Sequence, residues 1–130
     1  MSRSIKKIIS PASEHSEQVR IFQWANLMQI KHPELKYMFS TLNGVRLSIG
    51  SAKKAKNSGN KKGVPDIFLP LPKNNYSGLF IELKIKGGVV KPEQKDYIKF
   101  LKSVGYCAEV IYGSDDAISL IQSYINGEVA

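Results

Sequence analysis

Apolar positions along the chain follow two periods, and their alternation predicts the elements. Between residues 11 and 31 they recur at Val19, Phe22, Ala25 and Met28, or at Ile21, Trp24 and Met28, the spacing of one helical face. Ser10 as cap and Pro11 at the first helical position open this helix. His32-Pro33 closes it, because the residue before a proline is pushed out of the helical region. Residues 36–42, "KYMFSTL", read as a strand ended by the turn pair Asn43-Gly44. Apolar runs at 64–71 and 79–85 read as two strands joined by the turn-rich "PLPKNNYSG". Pro92 starts a further helix with Tyr97, Leu101 and Val104 on one face and Gly105 at its end. "YCAEVIY" at 106–112 is the next strand. Ser114 caps a last helix running through Asn126, with Asp115 and Asp116 where the helix dipole favours acids, and Gly127 stops it. Helix, strand, paired strands, helix, strand and helix predict an α/β sandwich. No internal repeat is visible, so we expect one domain over residues 1–130 with its core at about 11–126.

Residues 45–63 break the pattern. "SAKKAKNSGNKKG" sets Lys53, Lys54, Lys56, Lys61 and Lys62 among glycines and small residues, and reads as a mobile basic loop with a helical turn near 52–56. A solvated linker would look the same, but lysines on flexible backbone also suit phosphate contacts. The whole chain adds weight to the second reading, since 19 Lys and Arg against 11 Asp and Glu give a net charge of +8. That balance points to a polyanionic partner, nucleic acid before an anionic membrane. No apolar run reaches the length of a membrane span, and the basic N-terminal stretch "MSRSIKKIIS" is too short in apolar residues for a secretory signal. Cys107 is the single cysteine, which excludes an internal disulfide, makes a cytoplasmic setting the expectation, and reads as a buried inert thiol.

Charges sit where the strand pair should be apolar. Asp66 lies in the first strand, and Glu82 and Lys84 lie in the second. Alternation sends Glu82 and Lys84 to the same face, and Asp66 meets Glu82 if the register sets them side by side. Two adjacent carboxylates repel unless a cation lies between them, and Mg2+ accepts carboxylate oxygens while keeping several waters. A lysine beside them can hold a water or a phosphate oxygen. The set suits metal-assisted phosphodiester hydrolysis. The bland alternative makes Asp66 a turn residue after Pro65, with Glu82 and Lys84 on a solvated face. The apolar neighbours Leu79, Phe80, Ile81, Leu83 and Ile85 argue against it.

"GVPDIFL", a gap, and "GLFIELK" resemble the PD-(D/E)XK nuclease signature. With the flanks "EHSEQVRIFQWA" and "KPEQKDYIKFLKSVGYCAEVIYG", residues 14–125 resemble the VRR-NUC branch, the virus-type replication-repair nucleases. The resemblance implies a restriction-endonuclease-like α-β-β-β-α-β core, a mixed central sheet flanked by helices. By position it makes Asp66 and Glu82 metal ligands with the carbonyl of Leu83, the ion being Mg2+ or Mn2+. Lys84 then positions the attacking water, a first-helix glutamate lies near the metal, and Gln94 contacts the site or is simply a polar residue in the first turn of a helix. Glu14 fits the family spacing better than Glu17. Arg46, Lys53, Lys54, Lys56, Lys61 and Lys62 become the DNA contacts. The resemblance further implies a homodimer acting on branched DNA such as four-way junctions, in a bacterial or phage-infected cell. The rivals are an exonuclease or restriction-type enzyme of the same superfamily, and a basic nucleic-acid-binding module without catalysis. His15 and His32 lack partners at ligand spacing, so zinc is not expected.

Overall fold

The computed structural model describes residues 12–42 and 47–130. Among them run helix α1 (Glu14–Met28), a 3-10 helix (Pro33–Tyr37), strand β1 (Phe39–Ser40), helix α2 (Ile49–Asn57), strands β2 (Ile67–Leu69) and β3 (Leu79–Lys84), helix α3 (Pro92–Ser103), strand β4 (Cys107–Tyr112) and helix α4 (Ser114–Ile125). The strands form one mixed sheet in the order β1-β2-β3-β4. β1 to β3 pair antiparallel, whereas β3 and β4 are parallel, with α3 making the crossover that a parallel pair requires.

Alternation along β3 divides the core. Leu79, Ile81 and Leu83 face α1 and α4, where Ile21, Ala25, Ala117, Ile121 and Tyr124 complete the larger apolar cluster. Phe80 points to the opposite face and packs with Ile98, Leu101, Tyr97, Tyr106 and Ala108 beneath α3. Phe68 of β2 stacks on Phe80 there, with ring centroids 4.2 Å apart. Glu82 and Lys84 follow Phe80 on that second face.

Several expectations are corrected. α1 begins at Glu14, with Ser13 as its cap and a reciprocal Ser13–Ser16 capping box; Ser10 and Pro11 lie outside the described residues. Both alternative stripes meet the core, Ile21, Trp24 and Met28 from one and Phe22, Ala25 and Met28 from the other, and only Val19 is exposed. The helix stops at Met28, and Pro33 opens the 3-10 helix instead of closing α1. The strand expected at 36–42 shrinks to Phe39–Ser40. Leu35 and Met38, three apart and both buried, have the period of the 3-10 turn. The expected loop contains the nine-residue helix α2, capped by Ser48, whose hydroxyl accepts the Ser51 N–H. Alanine and lysine are strong helix formers, and no residue of α2 is buried, so hydrophobic periodicity gave no sign of it. Val104, expected on the buried face of α3, is exposed, and Ile98 takes its place. Gly113, not Ser114, occupies the cap position of α4. Asn43, Gly44 and Arg46 lie outside the described residues.

Candidate active site

The site is built at the junction of β2 and β3. Ile67 pairs with Ile81, and one further step of this register sets Asp66 opposite Glu82. Thr41 holds the backbone there: its hydroxyl donates to the Pro65 carbonyl at 2.7 Å and its N–H to the Asp66 carbonyl at 2.9 Å. Another step places Pro65 opposite Leu83. Proline has no N–H to offer the Leu83 carbonyl, and the Pro65 carbonyl already accepts from Thr41. The Leu83 N–H donates to Asp66 Oδ2 at 2.8 Å, which orients that carboxylate. N–H and C=O of one strand residue point to the same side, so the Leu83 carbonyl also faces Asp66, and Pro65 offers it no donor.

Asp66, Glu82 and Lys84 are 6%, 1% and 5% exposed, so three ionisable groups share a nearly dry pocket. Burial pushes the Asp66 carboxyl upward. Glu82 is pushed up to about 8, by burial first and then by the charge of Asp66 and a hydrogen bond shared with it. Lys84 opposes this shift, with Nζ 3.8 Å from Glu82 Oε2. Glu14 adds to it, so its charge is felt at Glu82, although Glu14 itself is exposed. Gln94 bonds both to its own helix turn and to Glu82. Its Oε1 accepts the Lys91 N–H at 2.9 Å in the first turn of α3, while its Nε2 donates to Glu82 Oε2 at 3.2 Å.

Glu82 Oε1 is buried without a hydrogen-bond partner among the described residues. A buried carboxylate oxygen left unpaired costs free energy unless a proton or cation meets it. Two opposed carboxyls, an orphaned oxygen and a backbone carbonyl turned toward them form an all-oxygen donor set that fits a hard divalent cation. No group of three or more His, Cys, Asp or Glu gathers at metal-holding distance among the described residues, so water would complete the shell.

The VRR-NUC domain profile matches residues 4–115, most of the chain. This chain belongs to the VRR-NUC family. A solved structure described as a VRR_NUC domain protein is 32% identical, covers 91% of this chain and 92% of its own, and superposes with a TM-score of 0.73. No curated protein gives a significant match. The mixed sheet flanked by helices is thus the fold of the family, and the chain is a nuclease-type domain of the PD-(D/E)XK superfamily.

Around this VRR-NUC centre the basic residues divide. Lys53, Lys56, Lys61 and Lys62 line an open hollow of about 810 Å3 with Leu47, Ala52 and Asn60; Lys54 does not line it. Lys62 also borders a smaller cleft of about 210 Å3 that contains Asp66, Lys91, Glu93 and Gln94. Lys62 is thus common to the linings of both. Gly63, next to it, packs closely on the start of α3: its φ is +90°, and a Cβ there would collide with the Glu93 carbonyl. No helix among the described residues is long and apolar enough to cross a membrane.

Sequence reasoning passed over Thr41 and Lys91. Thr41 gave no signal, because its partners are backbone carbonyls brought near by sheet pairing. Lys91 could have been noticed beside Pro92, at the mouth of the helix that carries Gln94. Cys107 is 3% exposed, and burial pushes its thiol up to about 11, which leaves it protonated and inert.

Proposed function

We propose that the chain is a divalent-metal-dependent endonuclease that hydrolyses phosphodiester bonds in branched DNA, four-way junctions included. The observation that carries this reading is the buried Asp66–Glu82 pair with its orphaned Glu82 Oε1 and Lys84 alongside. A pure binding surface has no use for two buried carboxylates beside phosphate.

In this reading Asp66, Glu82 and the Leu83 carbonyl hold Mg2+ or Mn2+, which supplies a Lewis acid toward the phosphoryl group when bound. Both carboxyls would hold it in their ionised form. Lys84 Nζ donates to the attacking water and aims its lone pair at phosphorus. Its charge also lies against the negative charge that develops on the phosphoryl oxygens as the P–O bond to the leaving strand breaks. Gln94 fixes the Glu82 carboxylate through Nε2, and Glu14 adds a carboxylate from the first helix. Lys53, Lys54, Lys56, Lys61 and Lys62 hold the DNA backbone, and Arg46 adds a contact of the same kind. A subunit with one site cuts one strand, so paired cuts across a junction call for a homodimer. The nuclease is one domain over residues 1–130, working in the cytoplasm.

The test is cleavage of labelled four-way junction, flap, plain duplex and closed circular DNA with Mg2+, Mn2+ or EDTA. Paired junction cuts that need metal and fall at least about 100-fold in Glu82→Ala, the scale of losing one electrostatic stabiliser, are expected. Degradation only from ends would make it an exonuclease. Binding that persists in EDTA with no cutting under either metal would leave a binding module in place of the enzyme.

A further inference from the structure

We propose that Glu17 is a positioning residue of this nuclease site, locking the first turn of α1, and with it Glu14, against the end of β3 that carries Lys84. The inference rests on the nuclease reading above and adds a residue to it.

Glu17 is tied to the start of α4, on the same face of the sheet, by bonds to residues distant in sequence. Its Oε1 accepts the Ser114 N–H at 3.1 Å and the Ser114 hydroxyl at 3.2 Å. Its Oε2 lies 3.6 Å from Arg20, which reaches on to Asp115 at 3.3 Å. The Glu17 side chain is only 16% exposed, and Ser114 is fully buried. Both oxygens of Glu17 are thus engaged away from the carboxylate pair, whereas Glu14 is exposed.

The far end of these bonds is the strand end that carries Lys84. Gly113, next to Ser114, donates its N–H to the Lys84 carbonyl at 2.9 Å. Gly113 turns there with φ +89°, and a Cβ on it would lie 3.6 Å from Glu17 Oε1. As the cap residue of α4 it has no side chain to offer, so Glu17 satisfies that helix start from another element. The negative charge is also favoured at a helix N-terminus. Three residues before Glu17 on the same helical face is Glu14. One carboxylate therefore sets the distance between the helix turn bearing Glu14 and the backbone bearing Lys84.

The experiment is a double-mutant cycle on the full chain, reading cleavage of the preferred DNA with saturating metal. Glu17→Ala should lower kcat about tenfold or more with KM within about twofold, as a misplaced group near the chemistry does. In a Glu14→Ala background the same change should cost less than about twofold more, since residues acting as a unit are not additive. Glu17→Gln keeps the acceptor for Ser114 and should stay within about threefold of the parent. Should Glu17→Ala fail to fold, Ser114→Ala, which removes only the hydroxyl bond, goes through the same cycle with a smaller loss of the same pattern. Losses that multiply in full across the two backgrounds, or a Glu14→Ala enzyme as active as its parent, would overturn the positioning role while leaving the nuclease intact. A parent protein that cuts no DNA would overturn the nuclease reading and the role together.

Discussion

Glu82 concentrates the chemistry of the site in one side chain, and its proton makes a measurable prediction. Its carboxyl rises from an ordinary 4.5 to about 8 on folding, chiefly by burial. Between those values the folded metal-free protein keeps a proton that the unfolded chain releases. Stability from this group is therefore complete below the lower value and lost as pH rises through the upper one. Thermal melts without metal should show stability falling from about pH 4.5 to about pH 8, by up to about 1.4 kcal/mol per pH unit for one proton. Mg2+ should raise the melting temperature most at the alkaline end, where the proton no longer opposes it. Glu82→Gln should flatten the profile and abolish the metal response. An unchanged slope in that variant would place the titration elsewhere. At this scale much was legible: Asp66, Glu82, Lys84 and Gln94, read from spacing and resemblance, come together in one pocket. Thr41 was not legible, because a threonine bonded to backbone carbonyls looks like any strand threonine.

Elements decide how the basic residues meet the site. α2 is held by its cap and its alanine and lysine content instead of by a buried face. Replacing Lys53, Lys56, Lys61 and Lys62 by alanine should weaken DNA binding across sequences. The slope of log affinity against log salt should fall by about one for each phosphate that the protein no longer neutralises. Fluorescence anisotropy over a salt series measures it, and an unchanged slope would remove the hollow from the DNA path. Gly63 links this element to α3 at a positive φ of 90° beneath the Glu93 carbonyl. Gly63→Ala should cost about 1–3 kcal/mol in chemical denaturation, the range for forced backbone strain. Along the chain, α3, β4 and α4 were readable because their apolar faces are buried at regular spacing. The extents of β1 and α2 were not, since one is two residues long and the other buries nothing.

The whole molecule presents a net charge of +8 around a buried acidic centre. In the proposed nuclease, long-range attraction would bring DNA to the surface, while the buried acids stay shielded until a cation offsets their charge. If two copies share a junction, sedimentation of the protein on junction DNA should show twice 14.5 kDa of protein per four-way branch. A single copy per branch would overturn the dimer and leave each cut an independent event.

By itself the sequence determined the chemistry available and the order of elements. Carboxylates and a lysine within apolar runs, helix and strand periods, and the excess of lysine are local properties that a linear pattern carries. The tertiary structure alone decided which of these residues meet. Sheet register set Asp66 against Glu82, and brought the Leu83 amide onto the Asp66 carboxylate. Chain crossover brought Gln94 to Glu82, and helix packing carried Glu17 to Ser114, 97 residues away. Register, crossover and packing depend on the simultaneous burial of distant segments, and no local window contains that information.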